Sequence, residues 1–242
     1  MNSELIKQCL RKFSETVSFK YPATGWYFSP EEIEDSFVYT KDKWVCMFMY
    51  WKFVFKKGKR IRFSDDNNAA CPGIAEYGGF KELEDDGGHF IAEVERFKKS
   101  KALAQEYYQE SLQSIHPPKA KYVYFEQIDS IDENQEIEVV NLYPDPTGLA
   151  SLVVLAGYDR EQNMDNVATP FASGCQSVFT IPYHEKFQEK PKAVIGLMDH
   201  LVRNFVPDDM LAFSVPANRF VEMANNIEGS FIDKNFKNPT GF

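Results

Sequence analysis

The chain lacks most of the features by which a sequence announces a reaction. Its 242 residues include only 4 cysteines and 4 histidines, with no C-x-x-C pair among them. The lysine of a phosphate-binding loop and the G-x-G-x-x-G spacing of dinucleotide sites are both missing, so neither nucleotide motif is present. No long uncharged apolar run occurs; the richest stretch, residues 44–55, already contains Lys52, which excludes a membrane-spanning helix. Glu4, Lys7, Arg11 and Lys12 interrupt the N-terminal segment, so no export signal is expected, the expected location is cytoplasmic, and the thiols should stay reduced. Positive charge is scarce as well. Lysine and arginine number 27 against 36 aspartates and glutamates, a net charge of −9, which repels nucleic-acid backbones and anionic lipid surfaces.

What is present is the composition of an ordinary globular protein, 43% hydrophobic and 26% charged. A chain of this length can bury a core without disulfides or a structural metal, and one α+β domain over residues 1–242 is expected. Leu5, Ile6, Cys9, Leu10, Phe13 and Val17 recur at helical spacing, which places Cys9 on a buried stripe. Ser29-Pro30-Glu31-Glu32 reads as a capping box opening a short helix or turn. The aromatic run 44–55 reads as a helix ended by Lys56, Lys57 and Gly58, and residues 100–115 as another stopped by Pro117-Pro118. From Lys121 onward the texture becomes strand-like: 121–128 and 136–143, then a helix over 147–158, then strands at 192–198 and 210–215 and a helix after Pro216. Residues 170–181 read as a segment broken by Gly and Ser that holds Cys175. The expected architecture is a helical front half packed on a mixed sheet built mainly from the C-terminal half.

Cys46, then Cys71-Pro72-Gly73 with Gly78-Gly79 beyond, then Ala172-Ser173-Gly174-Cys175, Arg203 and Ser214-Val215-Pro216 occur in an order that resembles the domain of unknown function 169 family, over roughly residues 25–230. The resemblance implies an α+β fold and cysteines that recur at these three places; it implies no settled activity. The aromatic run after Cys46 departs from the family pattern, in which smaller helical residues are expected.

Two functional readings stand on these residues. In the first, Cys46, Cys71 and Cys175 converge as metal ligands for zinc or an iron–sulfur cluster in a redox-related role, since thiolates bind soft metals and Cys71 and Cys175 both follow helix-breaking residues. The bland counterpart is three buried small hydrophobes. In the second, the chain is a non-catalytic module for a small apolar or anionic ligand, with Trp44 and Trp51 as walls, Arg203 as anchor and the Gly73 turn offering backbone N–H groups. Arg203 also has an internal reading, as an ion-pair partner of Asp199 or Asp208. Of the histidines, His116 reads as a helix-end residue and His89, beside Gly87-Gly88, as part of a mobile loop. The excess of aromatic residues, 12 Tyr, 3 Trp and 21 Phe, also permits a homo-oligomer.

Overall fold

Alternation along three neighbouring strands builds the molecule. Trp26, Val123, Phe125, Val139 and Tyr143 point to one face of a sheet, and Tyr27, Tyr124, Val140 and Leu142 to the other, because successive strand side chains project oppositely. The computed structural model describes residues 1–38, 46–64, 72–81, 87–161, 164–171 and 173–236. Its strands are β1 (Phe19–Ser29), β2 (Phe37–Val38), β3 (Ile61–Phe63), β4 (Tyr122–Gln127), β5 (Ile137–Pro144), β6 (Val167–Ala168), β7 (Ala193–Gly196) and β8 (Ala212–Pro216). They form one sheet in the order β2-β3-β4-β1-β5-β8-β7-β6. The β2/β3 and β6/β7 pairs at the two edges are parallel and the pairs between them antiparallel, so the sheet is mixed and the fold class is α+β.

Helices cover both faces. On the Tyr27 side lie α1 (Ser3–Ser14), α6 (Pro146–Leu155) and α8 (Ala217–Asn225), whose Ile6, Cys9, Phe13, Leu152, Phe220 and Met223 form one buried cluster with the sheet. On the Trp26 side lie α2 (Trp51–Lys57), α3 (Pro72–Tyr77) and α7 (Ile181–Glu185). The remaining helices are α4 (Gly87–His89), which runs into a π-helical turn over Phe90–Val94, and α5 (Lys101–Gln113). Local chemistry sets the ends. Asn2 accepts from Glu4 N at 3.0 Å to start α1, Ser100 accepts from Leu103 N at 3.3 Å to start α5, and Asp145 accepts from Gly148 N at 2.7 Å with Pro146 opening α6. Gly58 closes α2 at φ 59, the left-handed region that glycine enters without strain.

The expected layout holds with one correction, at residues 170–181. The mixed sheet is built mainly from the C-terminal half, as expected, with β4 to β8 all lying after Lys121, and the front half adds the central strand β1 and the short β2 and β3 to its helices. Ser29 ends β1, and of the two expected outcomes the structure has the turn: the Ser29 hydroxyl accepts from Glu31 N at 3.3 Å and donates to Glu31 O at 2.7 Å. β1 lies between β4 and β5 and pairs antiparallel with both. Residues 174–185 are helical, not a broken segment, and include a π turn over Gln176–Thr180 that leads into α7. Since one sheet backs both clusters and its middle strand comes from the front half, we propose that the chain unfolds as one unit.

Candidate functional site

The Trp26 face gathers the segments singled out by their cysteines. Cys46 is half-buried and packs against the cluster, its carbonyl accepting from Met49 N at 3.0 Å to start a short 3₁₀ turn over Met47–Tyr50. Cys175 is buried in the same cluster. The two segments touch. A Cβ built on Gly174 would lie 2.4 Å from Val202 Cγ2 and 2.7 Å from Phe48 Cε2, so the chain beside Cys175 lies flush against the turn that follows Cys46. Cys71 lies outside the described residues, as does Trp44, but α3 follows Cys71 directly and buries Ile74 in this cluster. Cys9 belongs to the cluster on the opposite face.

Gly174→Ala tests this contact. The added methyl must displace both Phe48 and Val202, and overpacking of that kind costs about 1–3 kcal/mol. A thermal melt of the variant should show a clear drop; an unchanged melt would mean that the two segments are not pressed together.

Around Cys175 the structure adds polar groups that no spacing in the sequence connects. Ser173 N donates to the Tyr107 hydroxyl and to Gln176 Oε1, each at 3.1 Å, and the Tyr107 hydroxyl in turn donates to Gln176. Tyr107, Gln176 and Asp199 are all buried. Asp199 Oδ2 accepts from Gly174 N at 3.0 Å and its Oδ1 from Leu201 N at 2.9 Å, so it ties the start of the helical segment to the loop after β7. Burial still pushes the Asp199 carboxyl above its ordinary value. Glu95, beside it, is pushed up to about 7 by burial first and by the Asp199 charge second. Glu95 is therefore a carboxyl that holds its proton more readily than usual, and Asp199 beside it accepts from two backbone donors. Such a group can act as a general acid or base.

The backbone is constrained next to both carboxylates. Arg96 has φ 59 and Leu197 has φ 67, left-handed values that cost a residue with a side chain about 1–3 kcal/mol unless its surroundings hold it there. Leu197 is held from two sides: its N donates to Ser177 Oγ at 3.2 Å and its carbonyl accepts from Arg203 Nη1 at 3.3 Å. A π turn immediately precedes Glu95 and another immediately follows Cys175, an arrangement common at functional sites.

The remaining expected residues fall as follows. Arg203 donates to the carbonyls of Leu197, Pro207, Asp208 and Met210, so it fastens the loop between β7 and β8 and takes the backbone of Asp208 rather than either expected carboxylate. Trp51 is buried among Phe48, Phe55, Phe125 and Tyr143 as part of the core. Gly73 sits half-buried in the first turn of α3. Among the described residues no group of three or more His, Cys, Asp or Glu side chains is placed to hold a metal ion, and no helix is long and apolar enough to cross a membrane.

The fold is thus an α+β sheet protein that sets a buried tyrosine, Tyr107, and a buried carboxylate, Asp199, against the segment that carries the Cys175 thiol. A family model described as uncharacterised ArCR, the domain of unknown function 169, matches residues 12–226, and the chain belongs to that family. No curated protein and no solved structure matches it.

Proposed function

We propose that the protein binds a soft metal ion or an iron–sulfur cluster through Cys46, Cys71 and Cys175, in a redox-related role. The supporting observation is that Cys46 and Cys175 pack on one cluster, to which the helix after Cys71 also contributes Ile74, while Cys9 lies across the sheet. Two described thiols do not make such a site alone. The donor set is completed by Cys71, and three thiolates suit zinc or an iron–sulfur cluster with one position left to another ligand. When bound, a cluster would supply one-electron chemistry. The cytoplasm, which keeps thiols reduced, is the compartment this reading assigns.

Protein purified without oxygen should be coloured or carry stoichiometric metal. Cys71→Ser and Cys175→Ser should each lose it, and Cys9→Ser should retain it. Colourless, metal-free protein would overturn the reading.

One observation favours a small-molecule module instead. Trp51 Nε1 and Thr180 Oγ1 are buried without a hydrogen-bond partner among the described residues, and groups of that kind are ordinarily satisfied. A polar ligand on this face would satisfy them, with Glu95 as anchor because the Arg203 donors are taken up by the loop. Metal-free protein that is stabilised by a small polar compound, with the effect lost in Glu95→Ala, is the outcome this second reading expects.

A further inference from the structure

We propose that His116 and His184 form a one-proton bridge that fastens the loop leaving α5 to α7, and that a second proton releases it. His116 Nε2 stands 2.8 Å from His184 Nδ1. The ring centroids are 5.0 Å apart with planes inclined 29°, so the rings meet end to end with the two nitrogens aimed at each other. Nitrogens that converge on a metal would aim at a common third point; these are set to share a proton.

Proton positions follow from the neighbours. The Gln188 amide nitrogen faces His184 Nε2 at 3.0 Å and makes it an acceptor, so the His184 proton sits on Nδ1 and is donated to His116 Nε2. Turning the Gln188 amide presents its oxygen instead. His184 can then carry a proton at Nε2 as well, and the bridge survives the first uptake. His116 differs: a proton on its Nε2 would set N–H against N–H, so the second uptake breaks the contact.

The surroundings oppose that second step. Burial first and the His184 charge second hold the His116 imidazole below its ordinary value. Tyr183 meets the His116 ring edge-on at 5.8 Å and Phe187 lies 4.7 Å from it. The titratable residues nearest the pair along the chain are Glu185 at the end of α7, Lys186 directly after it and Lys119 on the loop. Glu138 comes from β5, and Glu76 and Lys81 from the end of α3, where a Cβ on Gly79 would approach His116 O to 2.7 Å. Glu138 is already held by Lys119 at 2.8 Å and by Lys186, and Glu185 accepts from Lys192 N at 2.9 Å. Glu76 and Lys81 have interactions of their own. Because α7 continues the π turn that follows Cys175, release of the bridge loosens the segment behind that thiol. The inference is independent of what the thiol binds.

Imidazole nitrogen NMR of the full-length protein tests it between about pH 8 and pH 5, the range over which histidine pairs titrate. At the upper end one imidazole N–H should be protected from exchange and coupled to a nitrogen of the other ring. On acidification His116 should be protonated last, together with a several-fold rise in the hydrogen exchange of α7 amides. His184→Gln should move the His116 midpoint upward. Two independent titrations in the unaltered protein, or a His116 midpoint indifferent to His184→Gln, would overturn the proposal. The titration of the unaltered protein decides the matter even where the variant does not fold.

Discussion

Asn141→Leu should lower the unfolding free energy by about 3–5 kcal/mol, seen in urea as an earlier midpoint with an unchanged slope. Asn141 lies in β5 at the centre of the sheet and is fully buried. With its amide turned to satisfy both ends, it accepts from Trp26 Nε1 at 3.0 Å and donates to Ser214 Oγ at 2.7 Å and to Val178 O at 2.9 Å. Leucine fills the space but strands all three partners, and each unpaired buried group costs about 1–3 kcal/mol. Restored packing offsets part of that sum. The Val178 contact matters beyond stability, since Val178 belongs to the π turn behind Cys175 and Asn141 ties that turn to the sheet. Any property that depends on the Cys175 thiol should therefore weaken in this variant although no cysteine is changed. A variant as stable as the parent would show that the amide is not the tie.

The second large effect is expected at Arg219. Its guanidinium is buried at the start of α8, donates through Nη2 to Asp159 Oδ1 at 2.6 Å and to Ala156 O at 2.9 Å, and through Nη1 to Asp159 Oδ2 and Glu222 Oε2, each at 2.8 Å. This fork binds α8 to the end of α6. Removing one partner of a buried pair costs about 3–5 kcal/mol. Asp159 and Glu222 reach solvent and can rehydrate, so Arg219→Met should sit at the low end, about 3 kcal/mol. The pH dependence supplies a second measure. Arg219 holds the Asp159 carboxyl well below the usual carboxylate range. A depressed carboxyl adds stability that is complete above its unfolded-state pKa and is lost as pH falls through the folded-state value. Arg219→Met should therefore lose less stability than the parent on acidification below about pH 4. Parallel acid limbs for the two proteins would refute the assignment.

Legibility in the sequence followed the physics of each element. α1, α5 and α8 carry a cap or an apolar stripe that local chemistry completes, and all three are where the spacing places them. β1 was hidden by Pro22 and Gly25, residues that argue against a central strand. Its ladder with β5 slips between Tyr21 and Thr24, so Pro22 falls where pairing is already broken. At Gly25 a Cβ would come within 2.9 Å of Ile131 Cδ1, so the missing side chain is a packing requirement. The same confusion affected residues 170–181. Gly174 resembles a chain break, yet it is small because Phe48 and Val202 occupy the space its Cβ would need. Of the candidate site, the cysteines were visible as rare residues. Tyr107 and Asp199 come from distant segments, and only the fold sets both against the segment of Cys175, with Glu95 close enough to Asp199 to feel its charge.

The short outer strands bear on how this protein meets others of its kind. Among the described residues β2 and β6 border the sheet with two residues each, Phe37–Val38 and Val167–Ala168, and each runs parallel to its neighbour. A growing β-assembly needs a long, straight rim of open N–H and C=O groups as its template. Rims this brief give an incoming strand almost nothing to register against. Continuous addition of chains through their backbones is thereby discouraged, and self-association in the native state is left to side-chain surfaces such as the exposed Val153, Val154 and Tyr158 at the end of α6.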